Sequence, residues 1–74
     1  MKALVEHIVK SLVDHADYVQ VDEVNEGQTL NIRLTVHPDD MGKVIGKQGR
    51  TARAIRTVLY ASSPNQRVRL DIVD

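Results

Sequence analysis

The sequence predicts an α+β fold in which a three-stranded mixed sheet carries three helices on one face. Apolar residues recur with helical or strand spacing in six stretches, in the order helix, strand, strand, helix, helix, strand. A short turn separates the first two strands, so they should be antiparallel. Two helices separate the second strand from the third, which predicts a right-handed crossover between parallel strands. This two-layer arrangement lets helices and sheet bury their apolar faces against each other.

Composition limits the chain to one small domain with an aliphatic core. The 74 residues are 42% hydrophobic, but Phe and Trp are absent. Without cysteine, the chain can form neither a disulfide nor a zinc knuckle. No apolar run approaches the roughly 18–20 residues that cross a membrane, and the N-terminus lacks the layout of a signal peptide. We therefore expect a single domain over residues 1–74 of a soluble, cytoplasmic protein.

Residues 3–16 are predicted to form the first helix. The apolar residues at steps of three and four are Leu4, Val5, Ile8, Val9, Leu12, Val13 and Ala16. This stripe is wider than one helix of a three-helix layer needs. Packing against the sheet explains most of it. The alternative is that part of the stripe, or Val58, Tyr60 and Val73, faces another subunit.

Two strands are predicted next, over residues 18–24 and 29–36. In the first, Val19 and Val21 alternate with polar residues, but the alternation breaks further along. The second alternates throughout, and its apolar side consists of Leu30, Ile32, Leu34 and Val36. The polar, glycine-containing stretch 25–28 between them has the residues that a hairpin turn requires.

His37-Pro38-Asp39-Asp40 is predicted to begin a short helix over residues 39–45. Proline suits the first helical turn because its missing N–H needs no partner there. Acidic side chains are also stabilised near a helix N-terminus by the partial positive charge of its N–H groups. We attribute the two adjacent carboxylates to this effect and not to a catalytic pair.

The last helix is predicted over residues 50–62 and the last strand over 67–73, with a break at 63–66. The side of the helix predicted to face the core carries Ala52, Ile55, Val58 and Leu59. The opposite side carries Arg50, Arg53, Arg56, Thr57 and Tyr60. The residues of the strand predicted to point inward are Val68, Leu70 and Ile72, and those predicted to point outward are Arg67, Arg69 and Asp71.

The stretch most informative about function is Gly46-Lys47-Gln48-Gly49, between the last two predicted helices. Two glycines three residues apart form a tight loop whose backbone can approach another backbone. Lys47 and Arg50 supply positive charge, while Val44 and Ile45 attach the entry side of the loop to a core. Such a loop is suited to holding a sugar-phosphate chain, and RNA in particular.

Charge is distributed unevenly along the chain, although the net charge is zero. The charged residues between Met41 and Leu70 are all basic: Lys43, Lys47, Arg50, Arg53, Arg56, Arg67 and Arg69. The ten acidic residues lie outside this stretch. One side of the molecule should therefore be basic, and its affinity for nucleic acid modest and sensitive to salt.

The order αββααβ and the glycine loop resemble a KH domain of type II. Val44-Ile45-Gly46-Lys47-Gln48-Gly49 matches the I-G-x-x-G signature of that family, between two helices as in the family. The resemblance covers the whole chain, and a KH domain of this size is similar to the KhpA family of small bacterial RNA-binding proteins. It implies RNA binding, an RNA-chaperone role, and a part in post-transcriptional and cell-shape regulation. It also implies homodimers or complexes with a larger KH-containing partner.

The resemblance implies that the loop clamps about four nucleotides of single-stranded RNA. Gly46 and Gly49 carry no side chain that would keep the RNA backbone away, and N–H groups at the start of the next helix would favour its phosphates. The side chains expected to contribute within and after the loop are Lys47, Gln48, Arg50 and Arg53. Lys43 is expected at the periphery.

Bases are expected beside the loop, in an apolar groove whose floor is Val44 and Ile45. These two residues are also good candidates for the core, with at most one of them touching a base. An adjoining edge of the sheet would supply backbone donors and acceptors to the bases, and Ile32 and Arg33 are the candidates for that edge.

Less specific explanations remain open for several of these residues. The two glycines could simply end one helix and begin the next, and Lys47 and Gln48 could be ordinary solvated loop residues. Arg56, Arg67 and Arg69 are expected to form a solvated face. Tyr60 could stack on a base, but packing or a partner contact is favoured because it lies ten residues beyond Arg50.

Other functional classes find little support. The stretch from Gly42 to Gln48 is one residue short of a Walker phosphate loop, and no dinucleotide-binding glycine pattern is present. His7 and His15 fall about two turns apart on the predicted first helix and His37 is separate, so neither a metal nor another cofactor is expected. No Ser–His–Asp set is present, and we expect no enzyme. The main alternative is a protein-interaction adaptor that acts by hetero-oligomerisation, suggested by zero net charge and the broad first helix.

Overall fold

The computed structural model describes all residues from Met1 to Asp74 and confirms the α+β fold. The strands lie in the order β1-β2-β3, with β1 and β2 antiparallel and β2 and β3 parallel, so the sheet is mixed. None of the helices has the length and apolar character needed to cross a bilayer. The elements are α1 (Lys2–Lys10), β1 (Gln20–Glu26), β2 (Thr29–Thr35), α2 (Met41–Ile45), α3 (Arg50–Ser62) and β3 (Arg67–Val73).

The hydrophobic core lies between the helices and one face of the sheet. Leu30, Ile32 and Leu34 alternate along β2 with residues on the open face, and all three are buried, as the sequence predicts. Each such aliphatic side chain contributes about 1.5–3 kcal/mol relative to leaving it in water. The other apolar side chains of the core are Val5, Val9, Val21, Val36, Val44, Ile55, Leu59, Val68 and Leu70.

The first helix ends at Lys10, six residues before the predicted end at Ala16. Ser11 and Leu12 form a closing turn in which the Leu12 N–H donates to the Val9 carbonyl at 2.9 Å. Beyond it, the N–H groups of Asp14 and His15 donate to the carboxylate of Asp40 and not to helix carbonyls. The prediction is wrong here because a tertiary partner competes with the helix for these N–H groups.

The first strand begins and ends two residues later than predicted, at Gln20–Glu26 instead of 18–24. A 3-10 turn at Ala16–Tyr18 occupies the predicted start of that strand, and the Val19 N–H donates to the Ala16 carbonyl at 3.1 Å. Pairing with β2 then continues as far as Glu26 opposite Thr29. The turn itself contains two residues, and Gly27 takes a φ of +64° there, which a side chain would disfavour.

The structure confirms the predicted bounds of α3 and β3 without change. On α3, the predicted inward side chains of Ala52, Ile55 and Leu59 are buried, but Val58 is exposed. Val58 lies instead beside α1, where an apolar concavity of about 270 Å³ is lined by Ile8, Leu12, Thr51, Ala54, Ile55 and Val58.

Candidate nucleic-acid interface

The glycine loop joins α2 to α3 through three residues with left-handed φ angles. These are Gly46 at +78°, Gln48 at +58° and Gly49 at +74°. Gly46 also has a ψ of 171°, a combination that only glycine adopts without strain. The two glycines of the sequence signature therefore coincide with two of the three positions of positive φ in the loop.

Only glycine fits at position 46, because Thr51 occupies the space that a side chain would need. A Cβ built at Gly46 would lie 2.7 Å from the Cβ of Thr51 and 2.8 Å from its backbone nitrogen. Whether RNA also approaches the backbone of Gly46 stays a prediction, but the glycine has a structural reason of its own. It is required by the close approach of the loop to the first turn of α3.

Gly49 faces open space and is the residue that precedes α3. A Cβ built there would meet no atom within 4 Å, so the surface beside it is free for a ligand. The Gly49 N–H donates to the Gly46 carbonyl at 3.1 Å, and the Arg50 N–H donates to the Lys47 carbonyl. As the N-cap, Gly49 has no side chain to cover the N–H groups of the first helical turn, where partial positive charge accumulates.

Three exposed cations lie in the loop and in the first turn of α3. Lys47 and Gln48 project from the loop, and Arg50 and Arg53 lie on the first turn of α3. No carboxylate oxygen lies within 4.0 Å of the charged nitrogens of Lys47, Arg50 or Arg53. Their positive charge is therefore not neutralised within the molecule, and an external anion can pair with it.

Lys43, expected at the periphery of this site, is engaged elsewhere. Its ammonium forms an ion pair with the carboxylate of Asp14 and lies 3.9 Å from Asp40 Oδ1. The hydrogen bond to Asp14 raises the pKa of Lys43 above its ordinary value of 10.5, against a smaller opposing effect of desolvation. Lys43 thus ties α2 to the segment after α1, and a phosphate would have to compete with two carboxylates for it.

The apolar pair before the loop divides between core and surface. Val44 is fully buried in the hydrophobic core, so it cannot touch a base, and this part of the expected groove floor is wrong. Ile45 remains 38% exposed, which is high for such a large apolar side chain. Ile45 is therefore the one of the two that can contact a ligand beside the loop.

The sheet edge beside α3 is β3 and not β2. Because β2 is the central strand, its backbone is paired on both sides, and Ile32 is 1% exposed in the core. Arg33 points to the face of the sheet that carries no helix, away from the loop. Both edge candidates are therefore wrong. On β3, the Leu70 carbonyl accepts a hydrogen bond from Arg56 of α3 at 3.2 Å.

A second concavity, which the sequence did not predict, lies at the C-terminal end of α3, between that helix and the start of β3. Its volume is about 750 Å³, and its lining includes Tyr60 of α3 and Arg67 and Arg69 of β3. Tyr60 follows Arg53 by seven residues, about two helical turns, so both lie on one side of α3. That spacing was visible in the sequence, but the approach of β3 to the helix was not.

A helix–loop–helix with a G-x-x-G loop, set on a three-stranded mixed sheet in the order αββααβ, defines a type II KH domain. The sequence model of the family described as "KhpA/KhpB, KH domain" matches residues 2–72. The chain therefore belongs to the KhpA/KhpB family of KH domains, which is not a class of enzymes.

Relatives named RNA-binding protein KhpA align with the chain over nearly its full length. The relative from Halalkalibacterium halodurans is 64% identical over 76 positions, which cover 100% of both chains. The relative from Oceanobacillus iheyensis is 55% identical over 99% of this chain and 100% of its own. The relative from Bacillus subtilis is 46% identical over 100% of this chain and 94% of its own. No solved structure matched the chain.

Proposed function

We propose that this protein binds single-stranded RNA through the loop Gly46-Lys47-Gln48-Gly49. The observation that carries the proposal is the open surface at Gly49, bordered by Lys47, Arg50 and Arg53 without an internal counter-ion. Membership of a family whose relatives are named RNA-binding supports it. The phosphates would lie over the start of α3, where helix N–H groups and basic side chains act together.

Bases would extend from the loop along α3. Ile45 offers apolar contact near the loop, and Tyr60 offers a ring for stacking in the concavity with Arg67 and Arg69. A stacked base contributes about 1–3 kcal/mol with little dependence on its identity. Contacts of this kind favour low sequence specificity, which suits an RNA chaperone.

Assembly would raise the affinity of this small surface. We propose that the protein acts in the cytoplasm as a homodimer or with a larger KH-containing partner, in post-transcriptional and cell-shape regulation. Linking two weak sites makes the second contact intramolecular and increases avidity without new contacts to RNA. The apolar concavity between α1 and α3, with Val58 at its rim, is the surface suited to a protein partner.

A second candidate function is a protein-interaction adaptor with a KH fold. The exposure of Leu12 and Val58 beside that apolar concavity favours it. An adaptor of this kind would bind its partner with little dependence on salt and would give no RNA signal. An RNA binder that depends on phosphate contacts loses affinity as salt increases.

The test is fluorescence anisotropy with short labelled single-stranded RNAs and the double variant Lys47→Asp/Gln48→Asp. We expect binding by the wild type and its loss in the variant, because two carboxylates would repel the phosphates. The control is Lys2→Asp/Gln20→Asp, which makes the same change in charge on exposed residues outside the loop. Equal affinity of the folded loop variant and the control would refute the proposal.

A further inference from the structure

Three side chains with metal-binding atoms converge between the segment after α1 and the segment before α2. One donor atom from each of His15, His37 and Asp39 lies within 4.8 Å of the others. The two imidazole rings stack with centroids 4.0 Å apart and an interplanar angle of 13°, and Tyr18 packs edge-on against His37 at 4.6 Å. His15 belongs to the segment that follows α1, five residues beyond the end of that helix at Lys10.

His15 is held as metal-binding histidines usually are, by a carboxylate behind the ring. Its Nδ1 lies 3.0 Å from Asp40 Oδ2, and Asp40 is only 1% exposed. The backbone N–H groups of Asp14 and His15 also donate to Asp40, at 3.2 and 2.9 Å. An ionised carboxylate can only accept, so Nδ1 carries the proton and Nε2 keeps a lone pair for a ligand.

His37 and Asp39 offer a second donor pair on the neighbouring segment. His37 Nδ1 lies 3.8 Å from Asp39 Oδ2 and accepts a hydrogen bond from the Asp39 N–H at 3.1 Å. A cation between Nδ1 and Oδ2 would displace the Asp39 N–H from Nδ1. Asp39 is 77% exposed while His37 is 22% exposed, so the cluster is anchored on one side and open to water on the other.

We propose that His15, His37 and Asp39 form a binding site for a divalent transition-metal ion, with Zn²⁺ the ion that best suits the three donors. Two imidazoles and a carboxylate are typical zinc ligands, and an open fourth position would take water. Parallel stacked rings do not aim their lone pairs at one point, so binding requires the imidazoles to tilt apart. The ion would then fasten the segment after α1 to the start of α2.

The first test is calorimetric titration of the tag-free protein with Zn²⁺. We expect one Zn²⁺ per chain, at least tenfold weaker binding in His37→Gln, and weaker binding in Asp39→Asn. His7→Gln is the matched control, because His7 is the one histidine of the chain outside the cluster and lies exposed on α1. Its affinity for Zn²⁺ should equal that of the wild type.

Several outcomes would overturn the site. These are no Zn²⁺ binding at millimolar concentration, unchanged binding in folded His37→Gln, or loss of binding in His7→Gln. Should a histidine variant fail to fold, the wild type still provides a test. Paramagnetic Cu²⁺ should broaden the amide NMR signals of residues 14–18 and 36–40 first. Broadening centred on His7 or the N-terminal amine would contradict the proposal.

Discussion

At the scale of single residues, the two glycines of the loop differ in what they do. The space beside Gly46 is filled by Thr51, whereas the space beside Gly49 is open. The sequence shows two equivalent glycines, because spacing alone cannot reveal what each one faces. Gly46 is therefore required to form the loop, and Gly49 leaves its outer surface accessible.

This difference predicts unequal effects of alanine at the two positions. Gly46→Ala should lower the free energy of unfolding by roughly 3 kcal/mol or more, because backbone strain adds to a clash with Thr51. Gly49→Ala should cost only about 1–2 kcal/mol, the penalty of a left-handed alanine. Urea unfolding measures both values, and a cost at Gly49 equal to that at Gly46 would contradict the assignment.

Asp40 is the other residue with a role that the sequence did not indicate. The neighbouring Asp39 is exposed, as expected for a charge at a helix start, but Asp40 is buried and accepts from Asp14 and His15. Burial alone would raise the pKa of Asp40, but the hydrogen bonds from Asp14 and His15 outweigh it and hold the pKa below its ordinary value of 3.8. The folded protein therefore favours the charged carboxylate.

The lowered pKa predicts a specific dependence of stability on acid. A group whose pKa is depressed on folding stabilises the protein above its ordinary pKa, here 3.8, and loses that contribution as the pH falls toward the lowered value. Asp40→Asn should reduce stability at neutral pH and flatten the loss of stability below about pH 4. Thermal unfolding from pH 7 to pH 2.5 measures this, with Asp39→Asn as control. If the stability of Asp40→Asn fell with pH in parallel with that of the wild type, the proposed role of the Asp40 carboxylate would be refuted.

At the scale of elements, the bounds and inward faces predicted from the sequence were most accurate where the periodicity of apolar residues was strong. The bounds of α3 and β3 are confirmed, and the alternation along β2 places its inward side chains in the core. The predicted end of α1 was wrong because apolar residues keep helical spacing as far as Ala16, while the N–H groups of Asp14 and His15 donate to Asp40, far away in sequence. The edge of the sheet was wrong because strand order depends on pairing that no local pattern records.

Alanine substitutions at two arginines of α3 should affect different properties, RNA affinity in one case and stability in the other. Arg53 is exposed and has no carboxylate partner, so Arg53→Ala should weaken RNA binding about three- to tenfold. Arg56 donates to the Leu70 carbonyl, so Arg56→Ala should mainly lower stability, by about 1 kcal/mol. Anisotropy and urea unfolding of both variants check this pair. The interpretation fails if Arg56→Ala weakens RNA binding more than Arg53→Ala does.

At the scale of the whole molecule, charge and apolar surface occupy different regions. Lys47, Arg50 and Arg53 lie in the loop and at the start of α3, while the apolar concavity lies between α1 and α3 and is lined mainly by aliphatic side chains. Zero net charge conceals the uneven placement of charge, because it sums the basic stretch between Met41 and Leu70 with the ten acidic residues outside it. On our proposal, the same fold would use the first surface for RNA and the second for a protein partner.

The apolar concavity predicts a variant that affects assembly and spares the fold. Val58→Asp should reduce self-association, because a charge would be buried at the contact, yet it should leave the monomer folded because Val58 is exposed. The control is Thr57→Asp, which introduces the same charge at the exposed residue directly before Val58. Sedimentation measures the association. An unchanged oligomeric state in Val58→Asp would exclude this surface as the interface.

The central claim is that the loop binds RNA through phosphate contacts, and the dependence of affinity on salt tests it most directly. With three or four cations in contact with a single strand, log Kd should rise with log salt concentration with a slope of roughly 2–3. Lys47→Asp/Gln48→Asp should abolish binding or clearly reduce that slope. A wild-type affinity that does not change with salt, or the same slope in wild type and variant, would contradict the claim.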